Sequence, residues 1–188
     1  DECPACGPLE AVFVLDTSGS MAWQMDNNDE CGGDGSRDFP THDRCRIHAA
    51  KEALRSVLLS IGESEAEFGL MRYAQEEGPR INRFPEYYPR PINYMGQCDG
   101  GGDVLVPFGG DNQDELASWI DQEERWPDNK ELRATGGTPL FGALQEAHRW
   151  LRDEVLPQDE HANCRIYSVI LLTDGVETCA DEGALTFA

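Results

Sequence analysis

A chain of 188 residues is long enough for one domain with a sizeable core, and a hydrophobic content of 39% argues against wholesale disorder. With 36 acidic residues against 15 basic ones, the net charge is −21. That field repels phosphates, so nucleic acid and anionic membrane are set aside as partners, while divalent cations are attracted without a site being specified.

No apolar run approaches the roughly 20 residues of a membrane span. No signal peptide is visible, so Asp1 reads as a processed or trimmed start. The cysteines number seven. "CPAC", with Cys3 and Cys6, stands alone, and His42, His48, His148 and His161 fall outside metal-ligand spacing. The cysteines therefore read mostly as disulfides of an extracellular or cell-surface protein, with the odd one left over or bonded outside the chain.

Residues 1–9 form a polar, cysteine-bearing leader, and 10–188 read as one domain with insertions at about 24–45 and 75–101. The first strand, Ala11 to Leu15, runs straight into "DTSGSM". Residues 24–45 are polar, glycine-containing and without periodicity. A helix follows, because Ile47, Ala50, Leu54, Val57, Leu58 and Ile61 line one face at helical spacing, with Gly62 placed to end it. "EFGLMRYA", 67–74, is the second strand, and 75–101 a loop rich in proline and tyrosine. The third strand, "DVLVPFG" at 103–109, carries a proline that suits an edge. "DNQDELASWIDQEE" is a short helix with Leu116, Trp119 and Ile120 on one face.

In "ATGGTPLFGALQEAHRWLRDEV", Thr138 suits the N-cap and Pro139 the first helical position. Leu140, Leu144, Ala147 and Leu151 are its expected inner face. The fourth strand, "RIYSVILLTDG", is a near-continuous apolar run that reads as a central parallel strand buried on both sides.

This order predicts a Rossmann-like α/β fold: a mostly parallel sheet, one antiparallel edge strand, and helices on both faces. Ligands of such sheets lie at the carboxyl ends of the strands. Asp16 and Asp174 sit at such ends, and Thr138 opens the helix that leads into the fourth strand. Asp16, Ser18, Ser20, Thr138 and Asp174 should therefore converge. Carboxylates and hydroxyls are hard oxygen donors, a set that suits Mg²⁺, Mn²⁺ or Ca²⁺. An ion held mainly by neutral hydroxyls stays electrophilic and can accept a partner's carboxylate. Gly19 reads as the bend that lets Ser18 and Ser20 face the same ion as Asp16.

"DTSGSM", "TGGTP" and "LLTDG", in this order, resemble the von Willebrand factor A (VWA) domain over roughly residues 10–180. The resemblance implies a metal-ion-dependent adhesion site, with Mg²⁺ as the first choice of ion. It implies that Ser18 and Ser20 contact the ion directly, and Asp16, Thr138 and Asp174 directly or through water. No catalysis is implied, only coordination of an acidic group on a protein or surface ligand. A narrower similarity joins the cysteine-bearing insertion and "CRIYSVILLTDGVETC" to bacterial PilY-type adhesins of type IV pilus tips, which adds pilus components as partners. The last strands and helix of a complete A domain are missing from the sequence, which would leave the fourth strand an exposed edge.

Competing readings are a metal-stabilised module with no open ligand site and an aspartate-nucleophile phosphatase. The phosphatase needs a second aspartate as acid/base where Ser18 stands, and a hydroxyl cannot do that work near neutral pH. "TSGSM" is not a serine-hydrolase elbow. Helix capping is the alternative for Ser18 and Ser20. "DNNDECGGDGSRD" misses the calcium-loop register and reads as a solvated acidic loop. Phe84, Tyr87, Tyr88 and Tyr94 suit packing on their own domain better than a binding rim. Met21, Trp23 and the other tryptophans suit packing. Cys164 and Cys179 flank the fourth strand, whose length of about 30 Å separates them beyond disulfide reach. Cys3 and Cys6 are within reach of Cys164 at one edge, and Cys31, Cys45, Cys98 and Cys179 gather at the other; the expected pairs are Cys6–Cys164, Cys31–Cys45 and Cys98–Cys179.

Overall fold

The computed structural model describes residues 7–29, 31, 43–61, 65–73, 102–121, 130–134 and 137–175. In chain order its elements are β1 (Leu9–Asp16), α1 (Arg46–Ser60), β2 (Ala66–Tyr73), β3 (Asp103–Val106), α2 (Gln113–Ser118), α3 (Leu140–Trp150) and β4 (Tyr167–Leu172). A 3-10 turn, Gly19–Ala22, follows β1. Beyond α3 the helix widens into a π turn, Leu151–Val155, and closes in a 3-10 turn, Leu156–Gln158.

Among the described residues the sheet has four strands in the order β3-β2-β1-β4. β1 runs parallel to β2 from Leu9 opposite Ala66 to Asp16 opposite Tyr73, and parallel to β4 from Glu10 opposite Tyr167 to Leu15 opposite Leu172. β3 is the antiparallel edge, and it ends before Pro107, which has no N–H for the ladder. The architecture is thus α/β with a mostly parallel mixed sheet and helices on both faces.

β1 is rich in residues that favour strands and is enclosed on both faces from Glu10 to Asp16. Ala11, Phe13 and Leu15 face α1 and α2, where they join Ile47, Leu54, Leu116, Trp119 and Ile120. Phe13 and Phe68 stack at 5.3 Å between ring centres. Val12 and Val14 face α3 and meet Ala143, Ala147 and Trp150. Each large side chain so buried contributes about 1.5–3 kcal/mol. α1 buries Ile47, Leu54 and Leu58, with Ala50, Val57 and Ile61 partly buried beside them, the face its spacing predicts.

Several expectations change. The strand enclosed on both sides is β1; β4, whose composition reads as central, is an edge among the described residues, the position that the incomplete A-domain resemblance implied. Val169 and Ile170, which point to opposite faces, are 38% and 39% exposed. A continuous apolar run marks suitability for burial on both faces, but burial needs neighbours on both. The inner face of α3 is Ala143, Ala147 and Trp150, with Leu140 and Leu151 partly buried, while Leu144 is 41% exposed. The helix turns its small residues inward because it lies close to the sheet: a methyl at Gly102 would come within 3.3 Å of Ala143 Cα. Pro139, not Thr138, occupies the cap position of α3. Gly19 is not in the left-handed region; among the described glycines only Gly7, at φ 70°, is.

Cys31 and Cys45 form the predicted disulfide, with Cα atoms 6.0 Å apart. Cys164 precedes β4 at the amino end of the parallel strands. Its expected partner Cys6, the pair Cys98–Cys179, Gly62 and the aromatic loop lie outside the described residues. No described helix is long and apolar enough to cross a membrane.

Candidate functional site

The carboxyl ends of β1 and β4 lie side by side because Leu15 pairs with Leu172 in a parallel register. Asp16 ends β1, and Thr173 and Asp174 follow β4 immediately. Register alone therefore brings the two aspartates to one edge. Thr138 enters from the segment before α3. A methyl on Gly175 would sit 3.7 Å from Thr138 Oγ1 and 3.8 Å from Ser20 Oγ, so the third segment meets the other two. All five predicted residues are brought together.

Asp16 has no solvent exposure, and both of its oxygens are met by neutral donors. The Ser18 backbone N–H donates to Oδ1 at 2.8 Å, and the Thr173 hydroxyl donates to Oδ2 at 2.7 Å. The first is an Asx-type turn that draws the chain back over the strand end. The Ser20 hydroxyl donates to Asp174 Oδ1 at 2.9 Å. Ser18 Oγ lies 3.1 Å from Ser20 Oγ. Each hydroxyl has one hydrogen, and that of Ser20 is committed to Asp174, so Ser18 is the donor to Ser20. Ser18 and Thr138 are buried, and Ser20 and Asp174 half-buried.

Serine side chains cap neither the 3-10 turn after β1 nor α1. Ser18 and Ser20 bond to one another and to Asp174 instead, so capping does not account for them.

Arg46, the first residue of α1, closes the other side of Asp174. Its Nη1 donates to Asp174 Oδ2. Its Nη2 donates to Asn28 Oδ1 at 2.8 Å, and its guanidinium lies 5.7 Å from the centre of the Trp23 ring. Backbone pairing fixes its start point: Arg46 N–H donates to Trp23 O at 3.0 Å, and Cys45, tied to Cys31, bridges Gln24. Sequence reasoning missed Arg46 and Thr173. A signal existed for Arg46, since a cation at a helix N-terminus opposes the helix dipole unless an anion answers it.

The five predicted residues fit a hard divalent cation by donor type, with two carboxylates and three hydroxyls gathered at one sheet edge and no nitrogen or sulfur among those five side chains. The same donors suit an ion whose remaining positions are filled by water or by an incoming carboxylate. Among the described residues, no group of three or more His, Cys, Asp or Glu side chains is arranged to hold a metal. This edge carries two carboxylates and draws its other donors from Ser and Thr, so it is of a different kind. Compared with protein-family models and with the curated proteins, the chain matches none.

Proposed function

We propose that this is an extracellular VWA-type adhesion module that binds a divalent cation, Mg²⁺ first, and through it an acidic group on a protein or surface ligand, at the tip of a type IV pilus. The observation that carries the reading is the meeting of three separated segments, Asp16–Ser20, Thr138 and Asp174, at one edge of a mostly parallel sheet. The Cys31–Cys45 disulfide supports an oxidising compartment.

When bound, the ion supplies an electrophilic position for a ligand carboxylate. The protein's residues do the rest. Asp16 supplies buried negative charge, and Thr173 and the Ser18 N–H fix its orientation. Ser18 and Ser20 supply neutral oxygens, which leave positive charge on the ion to be answered by a ligand. Asp174 is steered by Ser20 from one side and Arg46 from the other.

The test is calorimetric titration of chelator-treated protein with Mg²⁺, Mn²⁺ and Ca²⁺, beside Asp16→Ala and Thr138→Ala. Saturable binding by the wild type, lost in both variants, is the expected result. Binding unchanged in both would move the ion to the acidic insertion and remove the mechanism.

A further inference from the structure

Asp174 already has a cation. The Arg46 guanidinium pairs with its Oδ2, and the two side chains are only 19% and 11% exposed. The pair is held from three further directions. Asn28 accepts from Nη2 at 2.8 Å, the Ser20 carbonyl stands 3.5 Å from Nη1, and the Trp23 face lies 5.7 Å away. Arg46 is therefore clamped and not a passing surface contact. The clamp has a further consequence for charge. Asp16 and Asp174 together carry two negative charges, and Arg46 cancels one of them. A divalent ion entering among Asp16, Ser18 and Ser20 meets a fixed positive charge bonded to one of its own carboxylates.

We propose that Arg46 is a resident internal cation that competes with the divalent ion for Asp174, so that the affinity of the site is set by how firmly Asn28 and Trp23 hold the guanidinium. This rests on the metal reading above and adds its regulation. Ion entry weakens the Arg46–Asp174 pair by repulsion, and loosening Arg46 strengthens ion binding. Because Asn28 and Trp23 belong to the disulfide-anchored segment between β1 and α1, that segment and the ion are coupled through one side chain. By reciprocity, whatever draws Arg46 away from Asp174 raises ion affinity by the same factor by which the ion favours its release.

The experiment is calorimetric titration with Mg²⁺ and Mn²⁺ of the chelator-treated wild type, Arg46→Gln, Arg46→Lys, Asn28→Ala and Asp16→Ala. Removing a unit charge a few Å from the ion at a partly solvated site should tighten binding about tenfold in Arg46→Gln. Arg46→Lys keeps the charge but loses the Nη2 bond to Asn28, and should bind the ion more tightly than the wild type and less tightly than Arg46→Gln. Asn28→Ala removes one tether at an exposed position and should tighten binding by about two- to fivefold. It also decides the matter if Arg46→Gln fails to fold. Ion binding that is abolished by Asp16→Ala but equal or weaker in Arg46→Gln and Asn28→Ala overturns this proposal and leaves the metal site standing. No Asp16-dependent binding in any of these proteins overturns both.

Discussion

At the scale of single residues, the molecule places charged groups at both ends of the sheet where burial would be costly, and answers them with hydrogen bonds and ion pairs. Asp16 is answered by a hydroxyl and an N–H, and Asp174 by a hydroxyl and a guanidinium. At the opposite end of the sheet, Arg165 pairs with both Glu10 and Asp159, and the Tyr167 hydroxyl donates to Asp159. Burial is the main cause that pushes the Glu10 carboxyl up, with Glu67 and Asp159 adding to it. The Tyr167 hydrogen bond is the main cause that pulls Asp159 down. Burial first, and the Asp159 bond second, push the Tyr167 phenol well above its ordinary 10.0.

Below pH 10.0 the Tyr167 phenol keeps its proton in both states, and the contribution of the bond is complete. Above that value the unfolded chain loses the proton first, so rising pH favours unfolding. Tyr167→Phe should therefore cost about 1 kcal/mol at neutral pH. The gap to the wild type should shrink as the pH rises through the alkaline range, measured by urea midpoints on both sides of pH 10.0. A gap that stays constant would show that the phenol is not bonded to Asp159.

Among the elements, α1 illustrates what packing adds to periodicity. Its apolar spacing orients it on the sheet, but its face also carries Lys51, buried and paired with Glu131 in the segment before α3. A buried pair is weak evidence of net stabilisation, yet losing one member leaves the other charge enclosed. Lys51→Met should cost about 3–5 kcal/mol in urea unfolding, and Lys51→Met with Glu131→Leu should recover most of it. If the double variant is no more stable than the single one, the ion pair is not what holds the segment. β2 offers a parallel case: Arg72, wholly buried, lies 3.5 Å from Asp103 and 5.6 Å from the centre of the Trp119 ring. It thereby joins the edge strand to the end of α2.

For the molecule as a whole, the Cys31–Cys45 bond ties the segment after β1 to the start of α1 across 14 residues of sequence. Closing a loop of that size constrains the unfolded chain by about 3 kcal/mol. Cys45→Ser should lower the stability by that amount, read from urea midpoints without reductant. A Cys45→Ser midpoint equal to that of the wild type would show that the bond contributes no stability. The same closure brings Asn28 and Trp23 against Arg46 at the β1 edge, so it organises the candidate site as well as the fold.

The sequence by itself determined the α/β class, the antiparallel edge strand, the apolar face of α1 and the five residues gathered at one sheet edge. These follow from periodicities and punctuation that act within a few residues, and from the rule that parallel strands present their carboxyl ends together. Only the tertiary structure decided which strand is central, which face of α3 turns inward, and that Arg46 and Thr173 belong to the site. Val169 and Ile170 have the composition of an enclosed strand, but enclosure depends on what lies beside them. Leu144 fits the helical stripe, yet the close approach at Gly102 favours Ala143. A cation at a helix start calls for an anion, but Arg46 and Asp174 are 128 residues apart, and nothing local in either says that this strand end supplies it.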